Sequence, residues 1–328
     1  MNRRDFVCAS GVGFAAAATG IAVSKADGPR SGRLHVPRYA PALTAHEDAV
    51  YISGGAPIGA ASTDEHTYSR VLGLVERIDP VSLRQTFAAN AIFPRANHAS
   101  VFVDGQLWLL GGRTHDAGKS RLVRETERID LGSQAIWRGP DLPIPLIDLV
   151  ATTAEERVYV FGGVTRPDGG SSEASAAAFV CEPPYDTWRA LPAMPQALGN
   201  CSAHLVDGRV YLIGGFDREQ AYAITQIFDI RAGRWSEGPP PPYPLSAHAG
   251  TQAGRHIFLF GDYQRQSSVL SLDCAAGTWR PLSLPFTPRR HVRAAKVAET
   301  IIVAGGNQNS VAPALDVLEA YRVSDLKA

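Results

Sequence analysis

Surplus charge of either sign is missing from this chain: 32 Lys and Arg balance 32 Asp and Glu over 328 residues. Without a net charge there is no global field to draw the protein to nucleic acid or to an anionic membrane surface. Cysteine is scarce, four in all, and no CxxC occurs, so the usual redox and zinc spacings are absent. HExxH, the GxSxG elbow and the EF-hand loop are missing as well, which removes the familiar signatures of zinc peptidases, serine hydrolases and calcium sensors. Long hydrophobic runs are also lacking. The weakly apolar stretch from Gly11 to Val23 is too short and too rich in Gly and Ala for a good membrane span. Nothing in these residues assigns a catalytic group, a metal ligand or a cofactor.

What is present is a phrase used six times: a short apolar strand that ends in a glycine pair. It reads Val-Tyr-Ile-Ser-Gly54-Gly55, Leu-Trp-Leu-Leu-Gly111-Gly112, Val-Tyr-Val-Phe-Gly162-Gly163 and Val-Tyr-Leu-Ile-Gly214-Gly215, weakens to Ile-Phe-Leu-Phe-Gly261-Asp262, and returns as Ile-Ile-Val-Ala-Gly305-Gly306. The first glycines lie 57, 51, 52, 47 and 44 residues apart, so one unit of about 50 residues repeats six times. Each unit opens with a Pro- and Arg-rich loop and a strand of small residues. A tight turn such as Asp104-Gly105 then leads into the glycine-terminated strand. A third strand follows, as in Glu76-Arg77-Ile78-Asp79 and its repeat Glu127-Arg128-Ile129-Asp130, and after it stands Trp137, Trp188, Trp235 or Trp279. Four short strands cannot bury both faces of their sheet, whereas six such sheets stacked radially can. The tryptophans are read as packing between blades.

The glycine pair, the third strand and the spaced Trp together resemble the Kelch repeat, over about Ser31 to Asp325. The resemblance implies an all-β fold, a six-bladed Kelch β-propeller of four-stranded antiparallel blades, occupying residues 27–328. Only five residues follow the last unit's third strand, Leu318–Val323. Arg33–Arg38 resembles a fourth-strand phrase. The N-terminal strand is therefore expected to complete blade 6 and so remove the open edges.

Ahead of the propeller, Asn2-Arg3-Arg4-Asp5-Phe6-Val7 resembles a twin-arginine export signal, with residues 1–26 as the signal peptide. Cys181, Cys201 and Cys274 remain in the mature chain, an odd number. Unpaired cysteines suit a protein folded in the reducing cytoplasm before export to the periplasm or the medium. All three are read as small buried hydrophobes.

The repeat register also predicts which residues meet at the channel mouth. Sixteen residues before each first glycine stand Arg38, Arg95, Leu146, Leu198, Leu245 and Arg289. Fourteen before stand Ala40, Asn97, Asp148, Asn200, Ala247 and His291, and thirteen before stand His98 and His248. The loops after the glycines add Arg113, Arg166, Asp217, Tyr263 and Asn307. Blades 6, 1 and 2 thus carry a crescent of Arg289, Arg290, Arg293, Arg38, Arg95 and Arg113. Arginine's planar fork suits carboxylate and phosphate. The expected function is recognition of an anionic ligand, an acidic sugar or an acidic peptide, by a monomeric module. An alternative is an enzyme similar to the exported sialic-acid mutarotases, with Asp148, His98 or His291 moving the proton beside Arg95 or Arg290. A third is a structural subunit of an envelope complex. Copper radical enzymes of the galactose oxidase type share the Kelch-like propeller, but no comparable Tyr, Cys and His set occurs. Gly112–Ser120 looks like a phosphate loop, yet it has five residues between its glycines and leads into a strand where such a loop needs a helix.

Overall fold

The computed structural model describes residues 28–57, 71–116, 119–167, 170–310 and 312–327. The twin-arginine segment lies outside these residues. Six antiparallel four-stranded sheets follow one another around an axis. Their innermost strands are Ala42–His46, Ala99–Val103, Val150–Ala154, Ser202–Val206, Ala249–Ala253 and Arg293–Val297. Each lies against the next, and the last lies against the first. The second strands carry the apolar phrases, for example Gln106–Leu110 and Arg209–Ile213. Their alternate residues face the two neighbouring blades, so nearly every position is buried.

Closure is as the sequence implies. Arg30–Arg33 pairs antiparallel with Val317–Arg322, Arg30 opposite Ala320 and Arg33 opposite Val317. The pairing strand begins slightly upstream of the anticipated phrase, and Leu34 then drops into the core between blades 6 and 1. The chain ends in a short helix, Val323–Lys327, with Leu326 buried.

Two sets of backbone hydrogen bonds join the blades at the mouth. In the first, the second glycine of a pair donates to a carbonyl of the next blade: Gly55 to Arg95, Gly112 to Leu146, Gly163 to Leu198, Gly215 to Leu245 and Gly306 to Arg38, at 2.8–2.9 Å. Both glycines adopt positive φ, 62° and 100° at Gly111 and Gly112, and a Cβ on Gly111 would lie 2.5 Å from the Leu146 carbonyl oxygen. Only glycine fits there. In blade 5 Asp262 replaces the second glycine, and its carboxylate accepts from the amides of Ser246, Gln264 and Arg265 instead.

The second set is a closed ring. Ala40 donates to His291, His291 to Ala247, Ala247 to Asn200, Asn200 to Asp148, Asp148 to Asn97, and Asn97 back to Ala40, at 2.8–3.2 Å. All six residues sit in the left-handed region, with φ between 49° and 55°. Asn and Asp tolerate that region best among non-glycine residues. This accounts for three of the six identities.

The tryptophans divide. Trp188, Trp235 and Trp279 donate their indole N–H to the carbonyls of Pro140, Pro192 and Pro239 on the preceding blade. Trp137 does not share this role and is 46% exposed. It pairs with Arg128, whereas Ile136 takes the inward place opposite Ile129; Trp188 stands at that same place opposite Cys181 in blade 3. A one-residue offset moves a strand side chain to the other face. Cys181 and Cys201 are buried and unpaired, and Cys274 is only half-buried.

Deleting residues 28–36 removes the strand that closes the ring. The truncated chain is expected to unfold at a markedly lower temperature than the intact one, as followed by circular dichroism. Equal melting would refute the closure.

Candidate functional site at the channel mouth

Three members of the anticipated basic crescent are not on the rim. Arg38, Arg95 and Arg289 are fully buried, each paired with a glutamate on the third strand of its own blade: Glu76, Glu127 and Glu319. Their remaining donors are used on carbonyls. Arg95 reaches Phe93 O at 3.2 Å, Gly111 O at 2.9 Å and Glu125 O at 3.1 Å. Arg38 and Arg289 reach the first glycines of their own blades, Gly54 and Gly305. Fully buried and charge-paired, they are out of a ligand's reach, so the crescent is corrected to wall structure at these positions. The sequence contained the signal. Glutamate occurs on the third strand only in the blades that carry the arginine, and the leucine blades have Phe179, Gln226 and Leu270 at the matching register.

The remaining residues fall into three groups. Asn97, Asp148, Asn200 and His291 are brought together in the backbone ring. Asn97 donates its amide to the Asp148 carboxylate at 2.6 Å. His291 Nδ1 lies 3.0 Å from Asn307 Oδ1, and Asn307 uses its amide N–H on Asn309 O, so His291 donates there and is the Nδ1–H tautomer. Beside it Arg290 stacks on Tyr263, 3.8 Å from the ring centroid, and donates to Ser310 Oγ at 3.0 Å. Tyr263 is 45% exposed and forms the visible edge of the mouth. Asp217 is held within its own loop by the amides of Glu219 and Gln220 and by the Tyr222 hydroxyl. These bonds favour the carboxylate and keep its pKa below the ordinary range. Arg113 lies apart, in a cleft beside blade 3.

Below the ring is a cavity of about 310 Å³, lined by all six innermost strands. His98, Asp148, Asn200, Cys201, His204, His248 and Arg293 face it. His98 Nε2 bonds Ser53 Oγ at 2.9 Å. His204 and His248 both place Nε2 2.9 Å from Ser202 Oγ, and one hydroxyl can donate to only one of them. At least one of the two histidines therefore donates its Nε2–H to the Ser202 oxygen. Burial pushes the Cys201 thiol up to about 12, which leaves it inert as a nucleophile. Of the two cations in the cavity's described lining, Lys296 is ion-paired, with Glu299 at 3.8 Å, and Arg293 is not. Its Nη1 donates to Val292 O at 3.1 Å, and among the described residues no carboxylate lies within ion-pair distance of it. Burial lowers its pKa, and Asp148 across the channel partly offsets this. Among the described residues no group of three or more His, Cys, Asp or Glu could hold a metal ion, and no helix is long and apolar enough to cross a membrane.

The geometry can now be set beside known proteins. The family model for the KLHDC2/KLHL20/DRC7 Kelch-repeats domain matches residues 42–262. The chain belongs to the Kelch-repeat family. Similar Kelch proteins include beta-scruin of Limulus polyphemus, 23% identical over 72% of this chain and 27% of its own length. Kelch-like protein terF of Aspergillus terreus is 24% identical over 67% of this chain and 52% of its own length. This Kelch chain therefore spans about a quarter to half of those curated relatives. The solved structure of YjhT superposes with a TM-score of 0.71, covering 87% of this chain and 94% of that one at 13% identity, a likeness of fold.

Burial holds His204 and His248 at about 3 and His291 at about 4, and keeps His98 well below 6.5. The unfolded chain takes up these protons near pH 6.5, so below that pH it binds more protons than the folded one. Stability is present at neutral pH and falls on acidification, by up to about 1.4 kcal/mol per pH unit for each histidine. Urea midpoints measured from pH 7 down to 4 should decrease steadily, and His204→Gln should flatten the slope.

Proposed function

We propose that this Kelch propeller is an exported recognition module whose channel mouth binds an anionic ligand, an acidic sugar or an acidic peptide. The Kelch propeller fold itself suggests a binding or protein-interaction module, and Kelch proteins commonly bind proteins or peptides. One observation carries the finer reading: Arg293 is a half-buried guanidinium that lines the cavity without an ion-pair partner among the described residues. An unpaired charge partly withdrawn from water is costly to keep. A carboxylate entering past Tyr263 would supply the missing partner through two parallel hydrogen bonds. The ring side chains of Asn97 and Asn200 and the cavity imidazole of His248 would then orient its neutral polar groups. Export is supported by the twin-arginine phrase at Arg3-Arg4 and by unpaired cysteines of raised pKa.

Calorimetric titration of the full chain tests this with glucuronate against glucose, and with a glutamate-rich peptide against its glutamine counterpart. Arg293→Gln should weaken binding of the acidic member about 10- to 100-fold, the value of a charge-assisted hydrogen bond, without lowering the melting temperature. Equal affinity of wild type and variant would remove the proposal.

A second expectation concerns the buried pairs. Arg95→Ala should cost about 3–5 kcal/mol because it strands Glu127 in the core. The double replacement Arg95→Leu with Glu127→Leu copies Leu245 and Leu270 of blade 5 and should recover most of that loss. Denaturant unfolding of both variants measures the difference.

A further inference from the structure

The ring of backbone bonds sets three acceptors side by side. Asn97, Asp148 and Asn200 occupy consecutive stations, in blades 2, 3 and 4. Asn97 is 5% exposed and gives its amide N–H to the Asp148 carboxylate, so its other terminal atom, Oδ1, is fixed as a carbonyl oxygen. That oxygen is buried and has no hydrogen-bond partner among the described residues, and the same holds for Oδ1 of Asn200. Asp148, between them, lines the channel cavity together with Asn200. Around the ring, blade 6 lies opposite blade 3, so Arg293 stands across the cavity from Asp148. The two charges act on each other through space, but no ion pair joins them.

We infer that the acid bound in the channel is a zwitterion, a carboxylic acid that also carries a primary ammonium group. The inference rests on the channel reading above, which places the carboxylate on Arg293, and it adds the other end of the ligand. Asn97 Oδ1, the Asp148 carboxylate and Asn200 Oδ1 only accept. An ammonium group is the converse, three N–H donors and no acceptor, so one such group matches the three acceptors in number and Asp148 in charge. A hydroxyl brings a single donor and no charge. Water donates to such oxygens one at a time and brings no counter-charge either. A ligand with both charges bridges two poles that the protein itself keeps apart, and each end makes charge-assisted hydrogen bonds. An uncharged or purely anionic ligand would leave one pole unmatched. His98 and His248 bound the same cavity, 1% and 3% exposed, and each has a buried Nδ1 without a partner among the described residues. These two atoms are available to polar groups on the body of the ligand.

Calorimetric titration of the full chain at neutral pH and constant ionic strength compares matched pairs: 4-aminobutyrate with butyrate, and 2-amino-2-deoxygluconate with gluconate. Butylamine is the control that has only the ammonium. In at least one pair the amino member should bind about tenfold or more tightly than the plain acid, the value of a charge-assisted hydrogen bond. Asp148→Asn should bring the amino member down to the affinity of its plain partner. Asparagine suits the φ of 54° at this station, as it does at Asn97 and Asn200, so the variant removes charge and keeps the ring. Equal binding within both pairs, butylamine binding as tight as the amino acids, or an Asp148→Asn variant that keeps the preference would overturn the zwitterion. If the plain acids bind and Arg293→Gln abolishes it, but the amino group adds nothing, this inference falls and the channel reading stands. If no acid binds at all, both fall.

Discussion

The structure depends on a closed circuit of backbone hydrogen bonds around the channel. Six residues, one per blade, each donate an amide to the neighbouring blade, and the circuit returns to its start. It requires positive φ at every station, and the glycine pairs require it again one strand later. A blade held in this way cannot tilt without breaking bonds on both sides. The polar character of the mouth follows from the same constraint, because Asn97, Asp148 and Asn200 are residue types that accept that backbone. The site is thus built from residues whose first duty is conformational.

The buried arginines extend the circuit into the wall. Arg95 accepts from Gly55 through its carbonyl and donates through its guanidinium to Gly111, so one residue stitches two glycine pairs. Glu127 neutralises it out of water. Blades 3 to 5 solve the same packing problem with leucine, which needs no counter-charge. Buried pairs of this kind contribute geometry more than net stability. They also explain how a chain rich in arginine can present so few at its mouth: of the six in the anticipated crescent, three are consumed by the wall.

Much of the fold was legible. The glycine spacing implied six blades, and the fourth-strand phrase at Arg33–Arg38 implied an N-terminal closing strand. The structure has both. Trp137 was misread because a tryptophan eight residues after Ile129 looks like one seven residues after Cys181, and a single step reverses its face. Arg38, Arg95 and Arg289 were misread because the register says which residues approach the mouth, not which way a long side chain turns. Their partner glutamates were visible in the sequence, in the same three blades, and would have decided it.

Two kinds of information separate here for a physical reason. Repeat period, glycine positions and left-handed residues are local properties, set by what a backbone of given residue types can adopt, and the sequence alone determined the propeller and its mouth from them. Charge placement is not local. Whether an arginine ends in a core ion pair, over Tyr263 or facing the channel depends on carboxylates and carbonyls that lie far away in sequence. Only the tertiary structure decided that Arg293 lines the cavity without an ion-pair partner among the described residues, and that Asp148 stands across from it.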